Sequence, residues 1–156
     1  MNRFADYFSN YVNDDTITYI GNGDITSFTV SRQDRELAVG LNLESFIDYG
    51  IIENSQNQIA RAMELKKVHI NPRFPKSEFS LDNIERILEY VRHESPAANG
   101  FFDGCEAELE DRTLTLCLKK GGKDVLESQK VDCAIANKIY ELFDLDFVVI
   151  FLEAVS

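Results

Sequence analysis

The chain has 156 residues, of which 44% are hydrophobic and 28% are charged, and these fractions are typical of a soluble globular chain rather than a disordered one. Its 27 acidic side chains outnumber the 16 lysines and arginines, so the formal net charge of −11 disfavours a dedicated nucleic-acid clamp, which needs basic side chains to neutralise phosphates. No run of 18 apolar residues is present, and a charge interrupts the N-terminal residues, so we expect neither a membrane span nor a signal peptide.

The first elements are predicted to be a helix and a β-hairpin. Apolar side chains recur at helical spacing from Phe4 to Val12, and Asp14-Asp15 is expected to end this helix. Two β-rich runs, Thr16–Ile20 and Ile25–Val30, flank Gly21-Asn22-Gly23-Asp24, a pattern that indicates a hairpin.

A third strand, a helix and a fourth strand are predicted next. Large apolar residues at Leu37, Val39, Leu41 and Leu43 alternate with Glu36, Ala38, Gly40 and Asn42, and this period of two predicts a strand with one buried face. A helix is expected over Asp48–Met63 and a strand over Leu65–Ile70. The two prolines of Asn71–Lys76 are expected to end that strand, because proline interrupts periodic elements.

We place a domain boundary at these prolines and predict two domains, residues 1–72 and 73–156. The first is expected to have the order α-β-β-β-α-β and the second the order α-β-β-α-β. Each would be a small two-layer sandwich of helices on a sheet, so the predicted fold class is α+β.

The second domain shows the clearest pattern of elements. The predicted order is a helix over Ser80–Val91, a loop over Pro96–Gly104, a hairpin over Cys105–Lys119 that turns at Asp111-Arg112, a helix over Asp132–Phe143 and a strand over Phe147–Leu152. The last strand is apolar on both faces, which predicts a central position in its sheet.

The residues that could carry catalysis have simpler structural explanations. His69 and His93 lack a partner at metal-ligand spacing, so we interpret them as surface or hydrogen-bonded histidines rather than ligands. Asp14-Asp15, Asp103 and Asp111 could suggest a two-metal site, but each is predicted at a turn, where Asp is favoured by local hydrogen bonds. No nucleophile lies in a recognisable motif. We therefore predict no catalytic residue, no metal site and no cofactor in this chain.

A lysine cluster is the first candidate for binding. Gly121-Gly122-Lys123 follows a strand and opens a helix, but it lacks the spacing of a complete phosphate loop and resembles the GxxG loop of KH domains only superficially. The cluster consists of Lys119, Lys120, Lys123 and Lys130. It could bind a single-stranded nucleic acid or an acidic peptide, although a solvated loop is the simpler interpretation.

Two further features could contact a protein partner. Phe101 and Phe102 are adjacent in a loop, so we expect one ring in the core and the other partly exposed as an anchor. Glu106, Glu108 and Glu110 form an acidic strip on one strand face, interpreted as a solvated edge, with contact to a basic patch of another chain as the alternative.

The number and spacing of the cysteines indicate the redox state of the cellular compartment. Cys105, Cys117 and Cys133 are odd in number, lack a CxxC spacing and lie in apolar-patterned segments. This usage favours free thiols in a reduced, cytoplasmic environment.

Several segments resemble the N-terminal region of PolC-type polymerases, the DNA polymerase III α subunits of Gram-positive bacteria. The segments that resemble the first N-terminal domain of that family are Asp14-Asp15-Thr16, Gly23-Asp24-Ile25 and Leu65–Ile70. Those that resemble the second are Phe101–Gly104, Glu108–Leu116 and Ile139–Phe143 before Phe147–Leu152. The second domain is also similar to the C-terminal domain of the clamp-loader τ subunit, which implies a KH-like fold.

The resemblance implies a place in a larger polymerase. Members of that family are DNA-directed DNA polymerases with a 3′–5′ exonuclease and divalent metals (Mg or Zn), but none of their catalytic aspartates maps onto a position here. The implied role is non-catalytic: tethering the polymerase to the clamp-loader τ subunit or another replisome protein, with little or no DNA binding and no membrane contact. The alternative is a single-stranded nucleic-acid-binding module that uses the lysines between residues 119 and 130.

Overall fold

The computed structural model describes residues 2–95 and 100–153. Its contacts divide the chain into two compact units, Met1–Glu78 and Phe79–Ser156. Each unit packs helices against a three-stranded sheet with one antiparallel and one parallel pair, so the predicted α+β class with two small units is confirmed. Among the described residues, no helix combines the length and the apolar character that a membrane crossing requires.

The first unit is built around a central strand, β2. Its elements are α1 (Phe4–Phe8), α2 (Asp14–Ile20), β1 (Asp24–Ser31), β2 (Glu36–Asn42), α3 (Tyr49–Ala62) and β3 (Lys67–Arg73), followed by a 3₁₀ turn at Lys76–Glu78. β2 pairs antiparallel with β1 and parallel with β3. Leu37, Val39 and Leu41 of β2 are buried, which confirms the alternation predicted for this strand.

The segment predicted as the first strand, Thr16–Ile20, is instead part of helix α2, so the unit begins with two helices and the order α-β-β-β-α-β is wrong at its second element. The Asn13 side chain accepts a hydrogen bond from the Thr16 N–H at 2.9 Å and caps the helix, and the carboxylates of Asp14 and Asp15 favour its first turn. Thr16 and Ile20, four residues apart, are both buried on one helix face. Burial therefore overrides the strand preference of these β-branched residues.

The formation of helix α2 also changes the predictions for the segments on either side of it. The first helix ends at Phe8 rather than Val12, because the Tyr11 N–H bonds to the Phe8 carbonyl in a turn at 2.9 Å. The glycines predicted to form a hairpin connect α2 to β1 instead, and the Gly21 N–H bonds to the Ile17 carbonyl at 2.8 Å as it caps α2.

Proline does not end the last strand of the first unit. β3 continues through Pro72, which lies opposite Leu41 of β2, and Phe74 beyond it is also buried. Pro72 is tolerated because β3 lies at the edge of the sheet, where a missing N–H removes no ladder bond on the open side.

The second unit follows the predicted order more closely. Its elements are a 3₁₀ turn at Leu81–Asn83, α4 (Ile84–Arg92), β4 (Glu106–Glu110), β5 (Thr113–Leu118), α5 (Lys123–Ser128), α6 (Val131–Phe143) and β6 (Val148–Glu153). The hairpin turns at Asp111-Arg112 as predicted, and Asp111 adopts the left-handed φ of 55° that such a turn uses.

The closing strand of the second unit is at the edge of its sheet, not in the centre. The strand order is β4-β5-β6, so β5 is central, antiparallel to β4 and parallel to β6. Val149 and Phe151 of β6 face the core with Leu114 and Leu116 of β5. The other face of β6 is apolar without being buried, and the candidate site is built on this face.

Candidate functional site

One face of the second sheet carries three parallel columns of side chains that are not buried. The core face of this sheet packs against helices through side chains such as Leu116, whereas alternate residues point to the opposite face, here called the outer sheet face. The outer sheet face consists of Val148, Ile150 and Leu152 on β6, Thr113, Thr115 and Cys117 on β5, and Glu106, Glu108 and Glu110 on β4.

The strand register aligns these side chains into rows. Glu108 lies opposite Thr115, and Thr115 lies opposite Ile150, so the middle row runs from a carboxylate to an apolar side chain. The two flanking rows are Glu110, Thr113 and Val148, and Glu106, Cys117 and Leu152. Across the sheet, the outer face therefore grades from an acidic column through a column of small side chains to an apolar column.

The apolar column is exposed although its residues are large. Val148 is 61% exposed, Ile150 41% and Leu152 50%. Single exposed hydrophobic residues are ordinary on protein surfaces, whereas a large contiguous apolar patch bordered by polar residues is a common feature of interaction sites. Val148, Ile150 and Leu152 are adjacent along one face of an edge strand, so they form a contiguous apolar column bordered by polar side chains.

The acidic column is only partly neutralised. The Glu106 carboxylate lies 3.3 Å from the Lys119 Nζ at one end of the column. Within the described part of the chain, no lysine or arginine nitrogen lies within 4 Å of the Glu108 or Glu110 carboxylate. These two carboxylates can therefore receive cations from a partner.

The lysines of the predicted cluster are largely engaged by the chain's own carboxylates. Lys119 pairs with Glu106 at 3.3 Å, Lys120 with Asp103 at 3.4 Å and Lys123 with Glu127 at 3.9 Å. Lys130 precedes α6 with a left-handed φ of 57°, and no described carboxylate lies within 4 Å of its ammonium group. Three of the four cations would have to exchange a partner before they could bind a phosphate.

The start of α5 is also engaged. The Lys123 N–H donates to the Glu153 Oε1 at 3.0 Å, which connects the Gly121-Gly122 turn to the end of β6. In a phosphate loop, backbone N–H groups of this kind bind the anion. Here the chain's own carboxylate occupies that position.

Phe101 and Phe102 divide between core and surface as expected. Phe102 is fully buried with its ring centroid 6.0 Å from that of Phe151, whereas Phe101 is half-buried and lies against Gly122. Phe102 is thus a core residue. Only Phe101 has exposed surface for a partner.

A charged cleft of about 360 Å³ lies beside this loop. Arg92 crosses it, with Nη1 2.6 Å from the Glu89 Oε1 and Nη2 3.7 Å from the Asp103 Oδ1, while its Nε has no partner among the described atoms. Burial, assisted by the negative charge of Glu85, raises the pKa of the nearby Cys105 thiol. A raised thiol pKa favours the protonated, less nucleophilic form of Cys105, and the Arg92–Asp103 ion pair connects the loop to α4.

The other sequence candidates lie on separate elements of the two units. Asp14-Asp15 begin α2, Asp111 lies in the β4–β5 turn, His69 is exposed on β3, and His93 follows α4 with Nε2 3.9 Å from Glu89. In residues 2–95 and 100–153, no group of three or more His, Cys, Asp or Glu side chains is arranged to hold a metal ion.

The apolar column is the feature that sequence reasoning missed. An uninterrupted apolar run such as Val148–Leu152 is expected for a strand buried on both faces, so the sequence pattern predicts a central strand and gives no sign of an exposed face. The signal present in the sequence was the alternation of the hairpin, which shows that its outer face is polar and solvated.

A smaller aromatic patch lies on the first unit. Phe28 of β1 is 49% exposed and its ring centroid lies 6.5 Å from that of Tyr7 and 6.2 Å from that of Phe8. Comparison of the chain with protein-family models, with curated proteins and with solved structures finds no match.

Proposed function

We propose that this chain is a non-catalytic protein-interaction module of a bacterial replicative polymerase. In this proposal it is the N-terminal region of a PolC-type DNA polymerase III α subunit, and it attaches the cytoplasmic polymerase to the clamp-loader τ subunit or another replisome protein during chromosomal replication. The outer sheet face is the observation that supports an interaction role most directly.

The apolar column would supply the buried contact of the proposed interface. Burying a fully exposed valine, isoleucine or leucine side chain contributes roughly 1.5–3 kcal/mol, and side chains that are 41–61% exposed would gain about half of that. Val148, Ile150 and Leu152 together could therefore supply the central apolar contact of a protein interface, with polar side chains around it as a rim. A net charge of −11 favours a basic protein partner over the phosphate backbone of DNA.

The assignment to the polymerase comes from the resemblance of the segments named above, from Asp14-Asp15-Thr16 to Phe147–Leu152. A binding measurement tests it: the chain is immobilised and titrated with a purified clamp-loader τ subunit from a Gram-positive bacterium, then with the other replisome proteins. We expect association in the micromolar range or tighter. A chain with the circular dichroism of a folded α+β protein that binds none of them would overturn the proposal.

The alternative function, binding of a single-stranded nucleic acid, uses Lys119, Lys120, Lys123 and Lys130. Lys130 favours it, since its ammonium has no described carboxylate within 4 Å. Titration of a fluorescent oligothymidine distinguishes the two functions. Affinity that falls steeply with salt and disappears when all four lysines are changed to Glu would support the alternative.

A further inference from the structure

We propose that the outer sheet face binds a basic amphipathic helix, whose apolar stripe covers the column of Val148, Ile150 and Leu152 and whose Lys or Arg flank reaches Glu108 and Glu110. This inference rests on the proposed interaction role and names the chemistry of the partner.

The width of the face matches one helix. Neighbouring strands lie about 4.8 Å apart, so the distance from the apolar column on β6 to the acidic column on β4 is about 9.6 Å. An α-helix with its side chains is about 10–12 Å across. A single helix lying along the strands therefore contacts the apolar column with one flank and the acidic column with the other.

The spacing along the strands also matches. Residues two apart in a strand, such as Val148 and Ile150, are separated by about 6.6 Å along it. Residues four apart in a helix are separated by about 6 Å along its axis. Apolar residues at positions i, i+4 and i+7 or i+8 of the partner can thus contact all three side chains of the column.

The middle column leaves room for such a helix. Thr115 and Cys117 have smaller side chains than the residues on either side of them, whereas Thr113 is close in size to Val148, so the face has a shallow floor along two of its three rows. The threonine hydroxyl groups and the Cys117 thiol can also accept hydrogen bonds from, or donate them to, polar side chains of the partner helix that face the sheet.

The negative charge of the outer sheet face favours one of the possible binding partners over the others. Glu108 and Glu110 lie at one border without a cation among the described residues, which favours Lys or Arg on the facing flank of the helix. A second copy of this chain would bring its own carboxylates and a net charge of −11 to the contact. Nucleic acids and anionic lipid surfaces are repelled by the same carboxylates.

The first test uses a peptide probe of about 20 residues, a length at which an isolated helix begins to form in water. Its leucines follow helical spacing and its lysines lie on one flank; a matched control peptide carries Glu in place of every Lys. Both are titrated to about 1 mM, a range that detects weak binding, into the full ¹⁵N-labelled chain while amide NMR shifts are recorded. We expect the lysine peptide to shift the amides of β6 and β5, with Ile150 and Thr115 among them. No binding, shifts centred elsewhere or equal binding of the control peptide would overturn the inference.

A double variant tests the acidic column. Glu108→Lys with Glu110→Lys replaces two attractions by two repulsions, so the lysine peptide should bind about tenfold more weakly. The matched control, Glu36→Lys with Glu44→Lys, makes the same change in net charge at exposed positions of the first unit and should leave the affinity unchanged. An equal loss in both variants would mean that only overall charge matters and would overturn the inference.

The same NMR experiment with τ separates this inference from the proposed function. Failure of τ and other replisome proteins to bind, together with peptide shifts on the outer sheet face, would contradict the polymerase assignment and leave the helix-binding surface standing. Binding of τ that shifts amides elsewhere would contradict the surface and leave the assignment standing.

Discussion

The ring of Phe101 lies directly against the backbone of Gly122, so that a Cβ placed on Gly122 would sit 2.2 Å from the Phe101 Cδ1. Gly122 also has a φ of +93°, a conformation that residues with a Cβ rarely adopt. Two loops of the second unit, Phe101–Gly104 and Lys119–Gly122, are thereby packed together at a glycine.

Gly122→Ala is expected to destabilise the second unit by about 2–3 kcal/mol, because it adds both a steric clash and backbone strain. Urea unfolding measures the change. Gly121→Ala is the matched control, since Gly121 has a φ of +69° but nothing within 4 Å of an added Cβ, and it should cost less. Equal costs for the two variants would show that the Phe101 contact adds nothing.

Removal of the cap of α2 is expected to weaken the first unit. Asn13→Ala deletes the acceptor for the Thr16 N–H and should lower the free energy of unfolding by about 1 kcal/mol. Asn10→Ala, at an exposed position before the helix, should change it by less than about 0.5 kcal/mol. Thermal unfolding compares the two variants, and a larger effect at Asn10 would refute the capping role.

Lys138 is expected to make stability depend on alkaline pH. Burial lowers its pKa, but hydrogen bonds to Glu141 at 2.9 Å and Glu94 at 2.7 Å outweigh burial, so the pKa is raised in the folded chain. A raised folded pKa contributes stability that is fully present below the unfolded value of about 10.4 and is lost as the pH rises through the folded pKa.

The stability of the second unit should therefore fall above about pH 10.4, and this fall should be smaller in Lys138→Met. Urea midpoints measured between neutral and alkaline pH give the comparison. Lys130→Met, which removes an exposed lysine without a described ion pair, should retain the dependence of the unchanged chain. Identical pH profiles for the Lys138→Met variant and the unchanged chain would disprove this contribution.

Two of the three free thiols, Cys133 and Cys105, are expected to react at different rates. Cys133 is exposed, whereas Cys105 is half-buried with a pKa raised by burial and by Glu85, so iodoacetamide at near-neutral pH should label Cys133 well before Cys105. Peptide mass spectrometry of timed samples measures the order, and a urea-unfolded sample should show no such difference. Labelling of Cys105 as fast as Cys133 in the folded chain would contradict the described burial.

The sequence predicts most strongly where the pattern is local. The alternation from Leu37 to Leu41, the Asp111-Arg112 turn and the helix over Asp132–Phe143 are all confirmed, because each depends on residues a few positions apart. The strand predicted over Thr16–Ile20 is wrong, because this segment forms part of helix α2. Its β-branched residues favour a strand, yet the cap at Asn13 and burial of one face produce a helix.

The sequence by itself determined the two α+β units, the acidic balance and the apolar run of the closing strand. Only the tertiary structure decided which neighbour that strand has: β6 pairs with β5 alone among the described strands, so Val148, Ile150 and Leu152 remain exposed rather than becoming core. The physical reason is that strand order depends on contacts between residues far apart in the chain. A short apolar run is consistent with a buried strand but does not identify the strands beside it. The outer sheet face, and with it the proposed binding of a basic helix, follows from that pairing.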